Sequence, residues 1–223
     1  MKTLIKKYKS FEYFYCIASV IVVSIIGFIR CDVQSIHLLS LMFNHVIIIL
    51  FIIPGLLLVS NKEVNVLFKN ELIYRYGSKK NLFYVILEKM SFISIFLSFI
   101  YITISKVIFF ASKTKAENYF FKLILSFFIM FMIIQLLNTL IFIVTKNQMI
   151  SIIITILLIN IISVVGLFLK MEILEYEYLF LIYKVKDALF YLIFMTLILL
   201  IFMLLLYFNI IKIEAYGYEK LKK

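Results

Sequence analysis

The sequence predicts an all-α integral membrane protein with six transmembrane helices. Two observations carry that prediction. Of the 223 residues, 65% are hydrophobic and the mean hydropathy is +1.12, against roughly 45–50% apolar residues in a soluble domain. The apolar residues also come in long uninterrupted runs, with five glycines and a single proline to break them. A helix needs about 20 consecutive apolar residues to cross the hydrocarbon core. The runs that meet this are Phe11–Ile29, Ile36–Val59, Ser91–Phe110, Tyr119–Val144, Met149–Leu169 and Ala188–Ile211. With no tryptophan in the chain, the aromatic residues at the bilayer interface must be tyrosine and phenylalanine.

The first run follows lysines, as in a secretory leader. It is too long for a leader's apolar region, and no small-x-small cleavage pattern follows it, so a retained first helix is expected. Near its ends the third run carries Lys106 and the fourth Lys122. Both side chains are long enough to reach an interface.

The net charge of +11 would suggest nucleic acid in a soluble protein. Here the basic residues flank apolar runs, so they report topology and attraction to anionic lipid, and no nucleic-acid partner is expected. One side collects Lys2, Lys6, Lys7 and Lys9, then Lys62, Lys69, Arg75, Lys79, Lys80 and Lys89, then Lys146, and finally Lys212, Lys220, Lys222 and Lys223. The other side has the smaller share: Arg30, Lys106, Lys113, Lys115, Lys122, Lys170, Lys184 and Lys186. The bias places both termini in the cytoplasm of a multi-pass cell-membrane protein, with Lys113–Lys122 as the one countercurrent. No repeat or linker divides the chain, and residues 1–223 are read as a single transmembrane domain.

Three segments lie outside the spans. Met1–Tyr15 mixes lysines with Ile5, Tyr8 and Phe11 at helical spacing, which predicts an amphipathic helix on the inner leaflet. The long connection Ser60–Met90 is read as cytoplasmic. Within it Leu67, Leu72 and Ile73 form a partial apolar stripe, Gly77 can end a helix, and Ser78 can cap a second short helix starting at Lys79. Such a helix–turn–helix suits the docking of a cytoplasmic partner, and equally a basic loop lying on the membrane. Lys170–Asp187 is acidic and aromatic, with Glu172, Glu175, Glu177, Tyr176, Tyr178 and Tyr183. It is read as an amphipathic outer segment before the sixth span, or as a plain outer loop.

Polar residues inside the spans are Asn44, His45, Gln135, Asn138 and Asn160. Amides in membranes commonly hydrogen-bond between helices. His45 has no acidic partner in any span, which argues against proton coupling. Gly27, Gly55 and Gly166 are expected to allow close helix contact. The phosphate-binding G-x-x-x-x-G-K-[ST] run is missing, as are H-E-x-x-H and G-x-S-x-G. With two cysteines and two histidines a zinc site is not expected. No catalytic residue, metal or cofactor is predicted, and the chain is not read as an enzyme.

This layout resembles the ABC-2 type permeases. The most specific local match is Arg75-Tyr-Gly-Ser-Lys-Lys80 followed by aromatics. It looks like the Arg-x-Gly-Ser-Lys/Arg pattern in small permeases linked to antimicrobial-peptide export or immunity in low-GC Gram-positive bacteria. The resemblance implies a permease subunit that pairs with a second permease chain, identical or not, and with a cytoplasmic ATP-binding cassette subunit that binds the ATP. It implies an amphipathic or hydrophobic substrate such as an antimicrobial or cytolytic peptide, with a pathway lined by spans one, two and five. The loop after span two would dock on the ATPase through Glu71, Arg75, Gly77, Lys79 and Lys80. Two alternatives share the span count: a membrane-embedded substrate-capture subunit of a vitamin importer, and a stand-alone bacteriocin-immunity protein.

Overall fold

The computed structural model describes residues 15, 17–23, 25, 48–67, 79–111, 120–169 and 188–221. Apart from Lys146 and Asn147, every described residue is helical. A π-helical turn, Ile48–Ile52, leads into α1, Ile53–Leu67. Then come α2, Lys79–Ala111; α3, Phe120–Thr145; α4, Gln148–Leu169; and α5, Ala188–Leu221.

Six spans were expected; among the described residues three stretches are long and apolar enough to cross a membrane: Lys79–Val107, Ile124–Thr145 and Leu192–Lys212. They fall on the third, fourth and sixth expected spans and give the chain the character of an integral membrane protein. Gln148–Ile161 on the fifth is a shorter apolar helix. Residues 17–23 and 48–59 cover parts of the first and second.

The π turn has a local cause. Pro54, the only proline, is the second residue of α1. In a regular α-helix its ring would strike the carbonyl of Leu50, and it has no N–H to donate there. Shifting the ladder to i→i+5 over Ile48–Ile52 opens the helix at that point.

Helix α3 is the centre of the bundle and packs against α1, α2, α4 and α5. Its sequence is apolar on all faces, which suits a helix enclosed by others. Toward one end Tyr101 of α2 meets Phe127 of α3 with ring centroids 5.4 Å apart, and Phe127 meets Phe131 edge-on at 5.6 Å. Val20 and Val23 join this part of the core together with Ile48, Ile52 and Leu56. Toward the other end Val64 of α1 packs with Leu82, Ile86 and Met90 of α2, Leu136 and Phe142 of α3, and Leu206 and Ile210 of α5. This pairing fixes the directions: α1, α3 and α5 end where α2 and α4 begin. At that shared end lie Lys62, Lys79, Lys80, Lys89, Lys146 and Lys212, whereas exposed Lys106 lies toward the far end of α2. The grouping of the first six matches the side assigned to them by the charge bias.

The structure corrects the sequence reading of Ser60–Met90 as a long connection. α1 runs on through Ser60 to Leu67, and α2 already begins at Lys79. The helix expected at Lys79 is therefore present, but it is the first part of a 33-residue helix and not a short separate one. At 1.5 Å per residue α2 is about 50 Å long, well beyond a hydrocarbon core of about 30 Å. α5 likewise continues past Ile211 to Leu221. The expected amphipathic segments Met1–Tyr15 and Lys170–Asp187, apart from Tyr15, lie outside the described residues, as do Asn44 and His45.

Candidate functional site

The buried side-chain amides of the bundle gather toward its basic end. Asn61 of α1 and Asn138 of α3 are both fully buried. The Asn138 Nδ2 group donates to Asn61 Oδ1. Asn61 Nδ2 in turn donates to Ser151 Oγ at 3.1 Å and, at 3.4 Å, to the carbonyl of Gln148 at the start of α4. Thr155 Oγ1 donates to Asn138 Oδ1 at 3.2 Å. Three helices are thus clamped by two amides and two hydroxyls. Spacing explains the geometry: Ser151 and Thr155 are four apart on α4, so both face the amides.

One turn earlier on α3, Gln135 reaches α2. Its Nε2 donates to Ser94 Oγ at 2.6 Å and to the Met90 carbonyl at 3.5 Å. Gln135 and Asn138 are three apart, so one stripe of α3 serves α1, α2 and α4 together. Among the described residues Ser60 Oγ, Thr103 Oγ1 and Gln135 Oε1 find no hydrogen-bond partner. Along α2, Ser94, Ser98 and Ser105 are buried. The Ser98 hydroxyl bonds back to the Ser94 carbonyl at 2.7 Å, and Ser105 to Tyr101 at 2.7 Å. Small side chains at this spacing let helix backbones approach closely.

Charged groups lie closer to the helix ends. Lys89 of α2 donates to Glu63 of α1 in a partly buried ion pair. Lys79, the first residue of α2, donates from Nζ to the carbonyl of Ile211 on α5. Phe83 and Tyr207 pack edge-on beside it with centroids 5.2 Å apart. The turn between α3 and α4 needs only two residues. Lys146 takes a left-handed backbone (φ 53°), and its N–H bonds the Phe142 carbonyl at 2.8 Å. Asn147 Oδ1 then accepts from the N–H groups of Met149 and Ile150 at 3.0 and 3.3 Å, capping α4.

Of the five residues expected to couple to an ATPase, Lys79 and Lys80 sit at the start of α2. Lys79 is partly buried against α5 and Lys80 is exposed. Glu71, Arg75 and Gly77 lie outside the described residues. Sequence reasoning singled out Gln135 and Asn138 but missed Asn61, Ser94, Ser151 and Thr155. Asn61 had been assigned to a loop, and hydroxyl residues in apolar runs carry no distinguishing signal. Glu63 was visible as a charge four residues beyond an apolar run, but its partner is 26 residues away. Among the described residues, no three His, Cys, Asp or Glu side chains come together as a metal ion would require.

No family model, curated protein or solved structure matches this chain. Its chemistry and geometry alone therefore bear on what the site does. The clamp is built from neutral amides and hydroxyls, groups that hold helices in register. In lipid they do so because apolar surface offers helices little reason to prefer each other over acyl chains. Each interhelical bond contributes only about 0.6 kcal/mol on average in a membrane. Stripping one partner from the buried network leaves the others unpaired, at a cost of about 1–3 kcal/mol.

Proposed function

We propose that this chain is the permease subunit of an ATP-driven exporter, with six spans and both termini in the cytoplasm. It would work with a second permease chain and a cytoplasmic ATP-binding cassette subunit that supplies ATP hydrolysis. The cargo would be amphipathic or hydrophobic, such as an antimicrobial or cytolytic peptide.

The observation that carries this reading is how the helices on either side of residues 68–78 are tied to the bundle. Residues 68–78 connect the end of α1 to the start of α2, and they contain Glu71, Arg75 and Gly77. The two helices are braced near that connection by Glu63 and Lys89. Lys79 fastens α2 to α5, and Asn61 fastens α1 to α3 and α4. A force applied to residues 68–78 by a docked ATPase would reach all five helices through short polar contacts. The lysines around the same end favour a cytoplasmic location.

Purification of the full chain in mild detergent, with mass spectrometry of whatever accompanies it, tests the reading. An ATP-binding subunit is expected in the preparation, and Arg75→Glu should release it and abolish export. If no such subunit co-purifies and Arg75→Glu leaves export intact, the proposal fails. A chain that acts alone in immunity would give that second result.

A further inference from the structure

Asn160 is an amide on the outside of the bundle. It lies on α4, twelve residues beyond Gln148, and is exposed. At 1.5 Å per residue that places it about 18 Å from the helix start. Half of a hydrocarbon core is about 15 Å, so Asn160 sits near mid-depth, where an unpaired polar group is disfavoured. One of its N–H bonds goes back to the Ile156 carbonyl at 2.8 Å. Its second N–H and its Oδ1 have no partner among the described residues. Among the described residues the other side-chain amides of the spans are buried, as Asn61, Gln135 and Asn138 are, or close to an end of an apolar stretch. Asn209, for instance, bonds its own helix at Leu205 three residues before Lys212.

The neighbours of Asn160 form a pattern. Ile150, Ile153 and Leu157 are all exposed, and with Asn160 they follow spacings of three, four and three. This is the seam of a left-handed helix pair, with one amide at a seam position. An asparagine there fixes register and the number of strands, because it is satisfied only opposite a matching group. With one of its two N–H groups given to Ile156, the Asn160 amide still offers one donor and one acceptor and so complements itself. Two copies inserted in the same orientation and related by a two-fold axis along the membrane normal bring the same residue to the same depth.

We infer that the Ile150–Ile153–Leu157–Asn160 face of α4 is the contact surface for a second copy of this chain, with the two Asn160 amides paired across the axis. The assignment rests on the permease reading for the need of a second chain, and makes that chain identical to the first. The exposed faces of α2 and α5 remain for lipid. They carry Phe92, Ile95 and Phe96, and Leu197, Leu204 and Phe208, with no mid-depth amide among them.

Cysteines introduced singly in native membranes test this, in a chain whose Cys16 and Cys31 are replaced by serine. Under a copper–phenanthroline oxidant, Ile153→Cys and Leu157→Cys should give disulfide-linked dimers, while Phe96→Cys and Leu204→Cys should not. Energy transfer between labelled chains in phosphatidylcholine–phosphatidylglycerol vesicles, diluted with lipid, should then show Asn160→Leu dissociating about three- to twenty-fold more readily. Asn160→Gln should restore most of the loss, and the thermal unfolding of Asn160→Leu, measured in detergent dilute enough for the parent to be monomeric, should match the parent, since the side chain is exposed in the single chain. Cross-links on α2 or α5 instead of α4, or dissociation unchanged by Asn160→Leu, would overturn the assignment. An ATP-binding subunit that co-purifies with a chain lacking the α4 cross-links removes this interface and leaves the permease reading. Cross-links on α4 with no ATP-binding partner do the reverse.

Discussion

At the scale of single residues, the buried amides decide more than their number suggests. Asn138 touches two other helices through its two amide atoms, so it cannot be replaced by a group of one polarity. Asn138→Leu fills the space but leaves Asn61 Oδ1 and the Thr155 hydroxyl with one partner fewer. Unfolding of the monomer in dilute mixed micelles should show a loss of about 1–3 kcal/mol, whereas Asn160→Leu on the exposed face of α4 should leave the same measurement within about 0.5 kcal/mol. Equal losses at both positions would mean that burial does not govern the clamp. Little of this was readable beforehand. Asn138 stood out as an amide in an apolar run. Asn61 did not, since it precedes Lys62 and Glu63 in what looks like a solvated loop. A helix carries Asn-Lys-Glu past the apolar run here because Asn61 and Glu63 find partners on other helices, and those partners are distant in sequence.

Among the elements, the boundaries of α3 and α4 were the easiest to anticipate. Tyr119–Val144 and Met149–Leu169 were expected, and Phe120–Thr145 and Gln148–Leu169 are observed. Uniformly apolar sequence bounded by Lys146 and Asn147 leaves few other solutions. The start of α2 at Lys79 was anticipated, but its unbroken run into the third span, and the ends of α1 and α5, were misjudged for the opposite reason, since hydropathy stops at the lipid boundary and the helices do not. The α3–α4 reversal supplies a prediction of its own. A left-handed backbone at a residue with a side chain is disfavoured by about 1 kcal/mol, so Lys146→Gly should raise stability by up to about that amount. Asn147→Ala removes the cap and should lower it by about 1 kcal/mol. Opposite signs at adjacent positions, read in the same unfolding titration, would identify this turn; changes of the same sign would rule it out.

For the molecule as a whole, the grouping of lysines at one end makes orientation the most direct measurement. The permease reading puts that end in the cytoplasm. With Cys16 and Cys31 replaced by serine, Lys146→Cys should be untouched by a membrane-impermeant maleimide added to intact cells and should react fully once they are opened. Labelling of intact cells would reverse the orientation and move residues 68–78 out of reach of any ATPase. Overall helical architecture and membrane character were legible because both follow from composition and run length. The clamp and its connections to residues 68–78 follow from which helices are neighbours, and that depends on side chains far apart in the chain.

The two-residue turn between α3 and α4 also bears on how the protein is made. Helices joined so closely lie side by side as an antiparallel hairpin as soon as both have formed. Asn138 and Thr155 already bond each other within that hairpin. The pair therefore meets the acyl chains with part of its polar surface covered from within. Asn61, synthesised earlier on α1, completes the cover when the hairpin docks against it.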